Sequence, residues 1–295
     1  MLERAPRHGE FLAIRAGNPD IIAALCAERQ LMQGESPSMA NATGLSNVGV
    51  RVYGAGAVLF GVVGLAWGDF GAVWQPVPDS VPHRKLLAYA AAVAFVAAGL
   101  AVQFARTRAV GAAALSVLYV PYAWLWLRRV IGFPGMIGTW SGFGEEAALV
   151  TGGVLAYDAA STGRGEGRKW AVLLSRVVFG LSFVSLALVH WMALKETAGF
   201  VPKWIPPGQK FWAIATGGFH LMAAVAIISG VQGKLAARLL AAMIGVFGLT
   251  IWLPTLAASP AEHFVWCANA QNTALLGSAW VVAEWFAKQE SGSRG

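Results

Sequence analysis

The sequence predicts an all-α polytopic membrane protein with eight transmembrane helices, arranged as two tandem parallel-repeat four-helix bundles. Three observations lead there. The 295 residues are 57% hydrophobic and only 13% charged, where soluble domains carry about 25% charged residues. Mean hydropathy is +0.57. The apolar residues gather in runs long enough to cross a bilayer, which takes about 20 residues at 1.5 Å each. The chain also repeats itself: "PHRKLLAYAAAVAFVAAGLAV" aligns with "PGQKFWAIATGGFHLMAAVAI" at an offset of 125.

The expected spans are 48–67, 85–104, 109–127, 142–158, 170–190, 210–230, 238–253 and 269–286. They are read as helices because lipid offers the backbone no hydrogen-bonding partner. Glycines such as Gly54, Gly56, Gly61, Gly64, Gly217 and Gly218 suit close helix packing. Ahead of the first span, residues 1–46 form a polar arm without the apolar core of a signal peptide. Its segment "PDIIAALCAERQLM" suits one short amphipathic helix.

The repeat divides the chain further. "RVYGAGAVLFGVVGLAW" from Arg51 is similar to "RVVFGLSFVSLALVHWM" from Arg176. Beyond the next loop the offset becomes 126, so that Trp126 meets Trp252, Trp140 meets Trp266 and Asp158 meets Glu284. This gives a first membrane unit at 47–158, a Gly-rich basic linker at 159–169, a second unit at 170–288 and a disordered tail at 289–295. Four spans return the chain to its starting side, so the units share one orientation, about an axis along the membrane normal.

Loop charge sets the direction. Arg51, Arg106, Arg108, Arg164, Arg168, Lys169, Lys234, Arg238, Lys288 and Arg294 fall on one side. The other side carries Arg84, Lys85, Arg128, Arg129, Lys195, Lys203 and Lys210, mixed with acids. The first side is expected to be cytoplasmic, with both termini there. Alanine and glycine richness and the excess of arginine over lysine suit a GC-rich bacterial genome, and hence the bacterial inner membrane. The net charge of +7 is spread over loops with no basic stripe, so nucleic acid is not an expected partner. Trp67, Trp74, Trp124, Trp126, Trp140, Trp191, Trp204, Trp212, Trp252 and Trp266 lie toward the outer ends. They read as an aromatic belt or, for some, as a stacking wall for a planar ligand.

Several polar residues need a partner or a task, because a charge at a helix centre costs about 2.5–3.5 kcal/mol on insertion scales. Arg51 and Asp158, and Arg176 and Glu284, are expected to form ion pairs that clasp the first and last helix of each unit. The alternative is arginines that snorkel to phosphate and acids that face water. Glu145 and Glu146, opposite Gln271 and Asn272 in the repeat, read as helix-dipole acids or as a polar locus at the outer mouth. His190 and His263 lie at comparable height. His220 falls in mid-span, where the first unit has Phe95. It reads as a neutral imidazole bonded to Ser182, Ser185 or Thr250, or as a contact to a quinone carbonyl or a haem iron. Cys26 and Cys267 lie on opposite sides and cannot pair. No metal signature, P-loop or nucleophile–base set is present, so the sequence leans away from an enzyme.

A four-span unit that opens on Arg176, continues "GLSFVSLALVHWMALKETAGFVP" and then "PPGQKFWAIATGGFHLMAAVAIISG", and ends on the basic loop "VQGKLAAR", resembles the DoxX family of bacterial membrane proteins. The resemblance extends over 48–286 as two fused units, more closely in the second. It implies a four-helix membrane bundle, and for some relatives a link to quinone-coupled or thiol-oxidising redox complexes. The expected role is an accessory subunit of a membrane redox system. It would bind a small quinone-like molecule between helices, with the bilayer and a soluble or membrane redox protein as partners. Candidate ligand contacts are His220, His190, Glu145, Glu146, Gln271, Asn272, Trp140 and Trp266. The alternative is a transporter or lipid-handling scaffold with no redox role.

Overall fold

In the computed structural model, residues 47–161 and 166–292 are described, and among them there is no strand. The N-terminal arm with its expected helix, the middle of the linker and the last three residues lie outside the described residues. The helices are α1 Val48–Trp67, α2 Arg84–Ala101, α3 Arg108–Gly132, α4 Ile137–Ala160, α5 Glu166–Met192, α6 Leu194–Phe200, α7 Gln209–Ser229, α8 Gly233–Phe247, α9 Leu253–Ala258 and α10 His263–Gly292. A π-helical segment, Gly248–Trp252, joins α8 to α9.

Among the described residues, six stretches are long and apolar enough to cross a membrane: α1, α2, α3, Gly167–Met192, α7 and Gly233–Ala258. The chain is a multi-pass membrane protein. α4 and α10 are as long, with 24 and 30 residues, but Glu145, Glu146, Asn269, Gln271, Asn272 and Glu284 make them more polar. Helices outrun the apolar runs at most ends, because a helix continues into the headgroup region where hydropathy no longer marks it. α4 and α5 therefore take up both margins of the expected linker, and α10 carries the expected disordered tail as helix to Gly292. α6 lies in a loop that the periodicity left unassigned. Two helices stop on glycines with left-handed backbone: Gly68 (φ 63°) and Gly230 (φ 81°). Each returns its N–H to the carbonyl four residues back, at 2.9 Å.

α4 and α10 are the two central helices. α4 packs on α3, α5 and α10, and α10 packs on α1, α4 and α8. The outer helices complete two rings, one running α1–α2–α3 and the other α5–α7–α8. The first helix of each half thus packs on the last helix of the other half: α1 on α10 and α5 on α4. Missing side chains make this possible. A Cβ at Gly277 would fall 2.0 Å from the Tyr53 backbone nitrogen, and one at Gly144 would fall 2.1 Å from Ser185 Oγ.

This exchange corrects the expected clasps. Arg51 does not pair with Asp158, nor Arg176 with Glu284, because the helices that carry them close on the opposite half. Asp158 Oδ1 accepts from Arg168 Nε at 2.6 Å, and its Oδ2 accepts from Trp285 Nε1 at 3.0 Å. Glu284 accepts from the Gly49 N–H at 3.0 Å. Arg176 donates to the Ile228 carbonyl at 3.2 Å, and the Arg51 carbonyl accepts from Gln103 Nε2 at 3.0 Å. Asp158 therefore joins three helices with a side chain only 16% exposed. We expect Asp158→Ala to lower stability by about 1–3 kcal/mol, the usual cost of losing hydrogen bonds to a charged group. Unfolding in mixed micelles checks this.

Candidate functional site

A cavity of about 930 Å³ opens within the C-terminal half. Its walls are apolar. α5 contributes Phe183 and Leu186, α7 Ala213, Phe219 and Ala223, α8 Leu240, Ile244 and Phe247, and α10 Leu275. Thr197 and Phe200 from α6, with Ile205, close the end at which α5 stops and α7 begins. This is also the end rich in tryptophan, and Trp212 and Trp252 are part of the wall rather than of the outer belt alone.

The polar groups are few and grouped. His190 and His220 stand with ring centroids 4.9 Å apart and planes tilted by 52°. Phe183 stacks on His220 at 5.7 Å, and Phe247 meets it at 6.3 Å. His190 Nδ1 lies 2.6 Å from the Leu186 carbonyl one turn back, which orients that ring. His220 is 3% exposed and its Nδ1 has no hydrogen-bond partner. The hydroxyls expected to satisfy it are spent on their own helices. Ser182 donates to Val178 O (2.9 Å), Ser185 to Ser182 O (2.6 Å) and Thr250 to Val246 O (2.7 Å).

Across the cavity, Glu145 and Gln271 form a second polar station. Glu145 Oε2 accepts from Trp74 Nε1 at 2.7 Å and from Gln271 Nε2 at 3.2 Å. Gln271 Nε2 also reaches Glu146 Oε1 at 3.3 Å. Glu146 lies behind the wall, 1% exposed, and Gln271 is 2% exposed. Glu146 Oε2 and Gln271 Oε1 have no partner. The dipole reading of these acids is corrected, since α4 begins at Ile137 and they stand about 12 Å along it. Among the described residues, no lysine or arginine lines the cavity.

The structure thus brings His190, His220, Glu145, Gln271 and Asn272 to one cavity, with Glu146 hydrogen-bonded from behind. Trp140 and Trp266 stand apart from it. Their indoles donate to the carbonyls of Pro134 (2.9 Å) and Pro260 (2.8 Å), and so tie down the loops before α4 and α10. His263 also lies elsewhere, stacked on Trp67 at 5.1 Å. Phe183 was not foreseen, and Trp74 was read only as one of the belt or stacking-wall indoles. Trp74 reaches the site from the α1–α2 loop, and no local sequence signal pairs it with Glu145.

The site does not fit a haem held between the two imidazoles. Two axial nitrogens at about 2 Å from one metal set their ring centroids roughly 6 Å apart on opposite faces. The observed rings are closer and tilted. Among the described residues, no group of three or more His, Cys, Asp or Glu side chains could hold a metal ion.

Residues 171–253 match the DoxX family model. The match begins in α5 and runs through α6, α7, α8 and the π-helical segment, and so takes in most of the cavity wall. It does not extend to the N-terminal half. No curated protein and no solved structure matches the chain. The chain is thus a multi-pass membrane protein whose residues 171–253 are similar to the DoxX family.

Proposed function

We propose that this protein is an accessory subunit of a membrane redox system and that it binds a small quinone-like molecule in the cavity of its C-terminal half. The observation that carries the reading is the composition of that cavity. Its walls are aromatic and aliphatic, and two stations of hydrogen-bonding groups face it: His190 with His220, and Glu145 with Gln271. Ligand sites of this size are typically apolar with a few placed polar groups. A quinone ring suits the site because it is flat, neutral and carries carbonyls that accept from an imidazole or amide N–H. Anionic heads are disfavoured because, among the described residues, no lysine or arginine faces the space.

The architecture supports a finer proposal. Eight helices cross the bilayer, α4 and α10 as the sheltered pair. Residues 47–158 and 170–288 are two copies of one four-span unit, placed about a pseudo-two-fold axis along the membrane normal. The matching helix contacts, α1 on α10 and α5 on α4, support this. The arginine-rich end, with both termini, faces the cytoplasm from a bacterial inner membrane.

Tryptophan emission tests the binding site, because Trp212 and Trp252 line it. Titration of the detergent-purified protein with a short-tailed benzoquinone is expected to give saturable quenching at one equivalent, weakened at least tenfold by His220→Ala. Quenching that grows linearly and is indifferent to that substitution sinks the proposal.

A further inference from the structure

The cavity does not end at the protein surface as a water-filled mouth would. Phe219 and Met222 on α7, and Leu235, Leu239 and Val246 on α8, line it and are also exposed on the outside of the bundle, from 46% for Phe219 to 62% for Leu239. α7 and α8 touch each other more sparsely than α7 touches α5 or α8 touches α10. Between them the space is therefore open sideways, at the depth of the hydrocarbon chains.

The space is also long. Its wall follows α7 from Trp212 to Ala226, fourteen residues apart, or about 21 Å of helix. The polar groups all belong to its tryptophan-rich portion. Past Ala223 the walls are Ala226, Leu235, Ala236, Leu239 and Leu240, with nothing to satisfy a polar atom before Gln232 at the far end. A compact ring leaves that stretch empty. An apolar chain fills it, at about 0.8 kcal/mol for each buried methylene.

From these features, and resting on the quinone-like reading above, we infer that the ligand is a long-tailed neutral lipid that enters from the bilayer through the α7–α8 seam. Its ring lies between the histidine pair and the Glu145–Gln271 station. Its tail passes between Met222 and Leu239 and follows the seam toward the arginine-rich end. A phospholipid or fatty acid fits less well, because among the described residues its anionic head would meet two imidazoles and a carboxyl group with no lysine or arginine beside them.

The test uses the full chain in nanodiscs at fixed mole fractions of probe. Three probes are compared by native mass spectrometry and tryptophan quenching: a benzoquinone with one isoprenoid unit, the same ring with eight or more, and palmitate. The long-tailed quinone is expected to outcompete the short one at least tenfold, and palmitate to compete with neither. A Met222→Trp/Leu239→Trp protein, bulky in the seam, is expected to lose that preference, so that the two tail lengths bind within threefold of each other. A second readout needs no variant. A photoreactive group on the second isoprenoid unit of the long tail is expected to label peptides that contain Met222 or Leu239. Equal affinity for both tail lengths, with labelling elsewhere, overturns the seam and leaves the binding site standing. Failure of both quinones to bind overturns the two proposals together.

Discussion

A Gly277→Val protein is expected to lose most of its folded fraction in detergent. The position lies where α10 crosses α1, and a Cβ there would fall 2.0 Å from Tyr53 N, 2.4 Å from Tyr53 Cα and 2.7 Å from the Val52 carbonyl carbon. All three are backbone atoms, which cannot turn aside as a side-chain tip does. The contact is close from both directions. A Cβ at Gly49 would meet the Val281 nitrogen at 2.5 Å, and one at Gly56 would meet the Ala274 nitrogen at 2.4 Å. Lipid is as apolar as the helix faces, so no hydrophobic force holds α1 on α10, and the stability of the seam comes from this proximity. Overpacking that side chains can absorb costs about 1–3 kcal/mol. Here the helices must part, so the cost is expected at or above the top of that range. Gly218→Ala, in α7 with open space around it, is the control and is expected to unfold like the parent. Unfolding in mixed detergent with rising SDS fraction reads both. An unshifted midpoint for Gly277→Val would mean that α1 and α10 are not packed backbone to backbone.

The same seam shows what could be read before the structure was known. The apolar runs located eight of the described helices, α1, α2 and α7 nearly whole and the others in large part, because a long apolar run favours an internally bonded helix and that preference is written in composition. Gly54 and Gly56 signalled close approach but not the partner, and Gly277 was not singled out at all. Any small-residue stripe can accept any other, and α1 against α4 satisfied the local pattern as well as α1 against α10 does. The ion pairs failed for that reason. Arg51 and Asp158 stand at one height, and height was legible, but lateral neighbourhood was not. The site was legible where polarity is costly. His220, His190, Glu145 and Gln271 stood out as polar groups in apolar surroundings, and they face one cavity. Trp140 and Trp266 were misplaced because an indole serves a belt, a wall or a loop staple equally well. Their bonds to Pro134 and Pro260 depend on six-residue turns that composition does not specify. The cavity itself left no positive signal, since it arises from side chains that are absent.

That absence has a counterpart in the other half, and it leads to the second large effect. Under the proposed repeat, Phe95 corresponds to His220, Tyr119 to Gly245 and Tyr122 to Gly248. In the N-terminal half the three aromatic rings fill the interior. Phe95 is 1% exposed, meets Tyr119 edge-on at 5.0 Å and lies over Tyr122 at 6.1 Å. In the C-terminal half the same positions hold one imidazole and two glycines, and the space is open. Writing the first half's residues into the second, as His220→Phe with Gly248→Tyr, should therefore close the cavity with a packing the chain already uses. The only close contact of a Cβ at Gly248 is Asn272 Nδ2 at 2.8 Å, the tip of a side chain that can rotate. The double variant is expected to bind the short-tailed quinone at least a hundredfold more weakly, about 2.8 kcal/mol. Its unfolding midpoint is expected to hold or rise, since cavity filling commonly adds about 0.5–2 kcal/mol. Retained stability separates loss of the site from loss of the fold. Undiminished quinone affinity in a stable double variant would place the ligand outside this cavity. A fall in stability would mean instead that the two halves do not share one packing plan, and that the open space is held by contacts the aromatic residues disrupt.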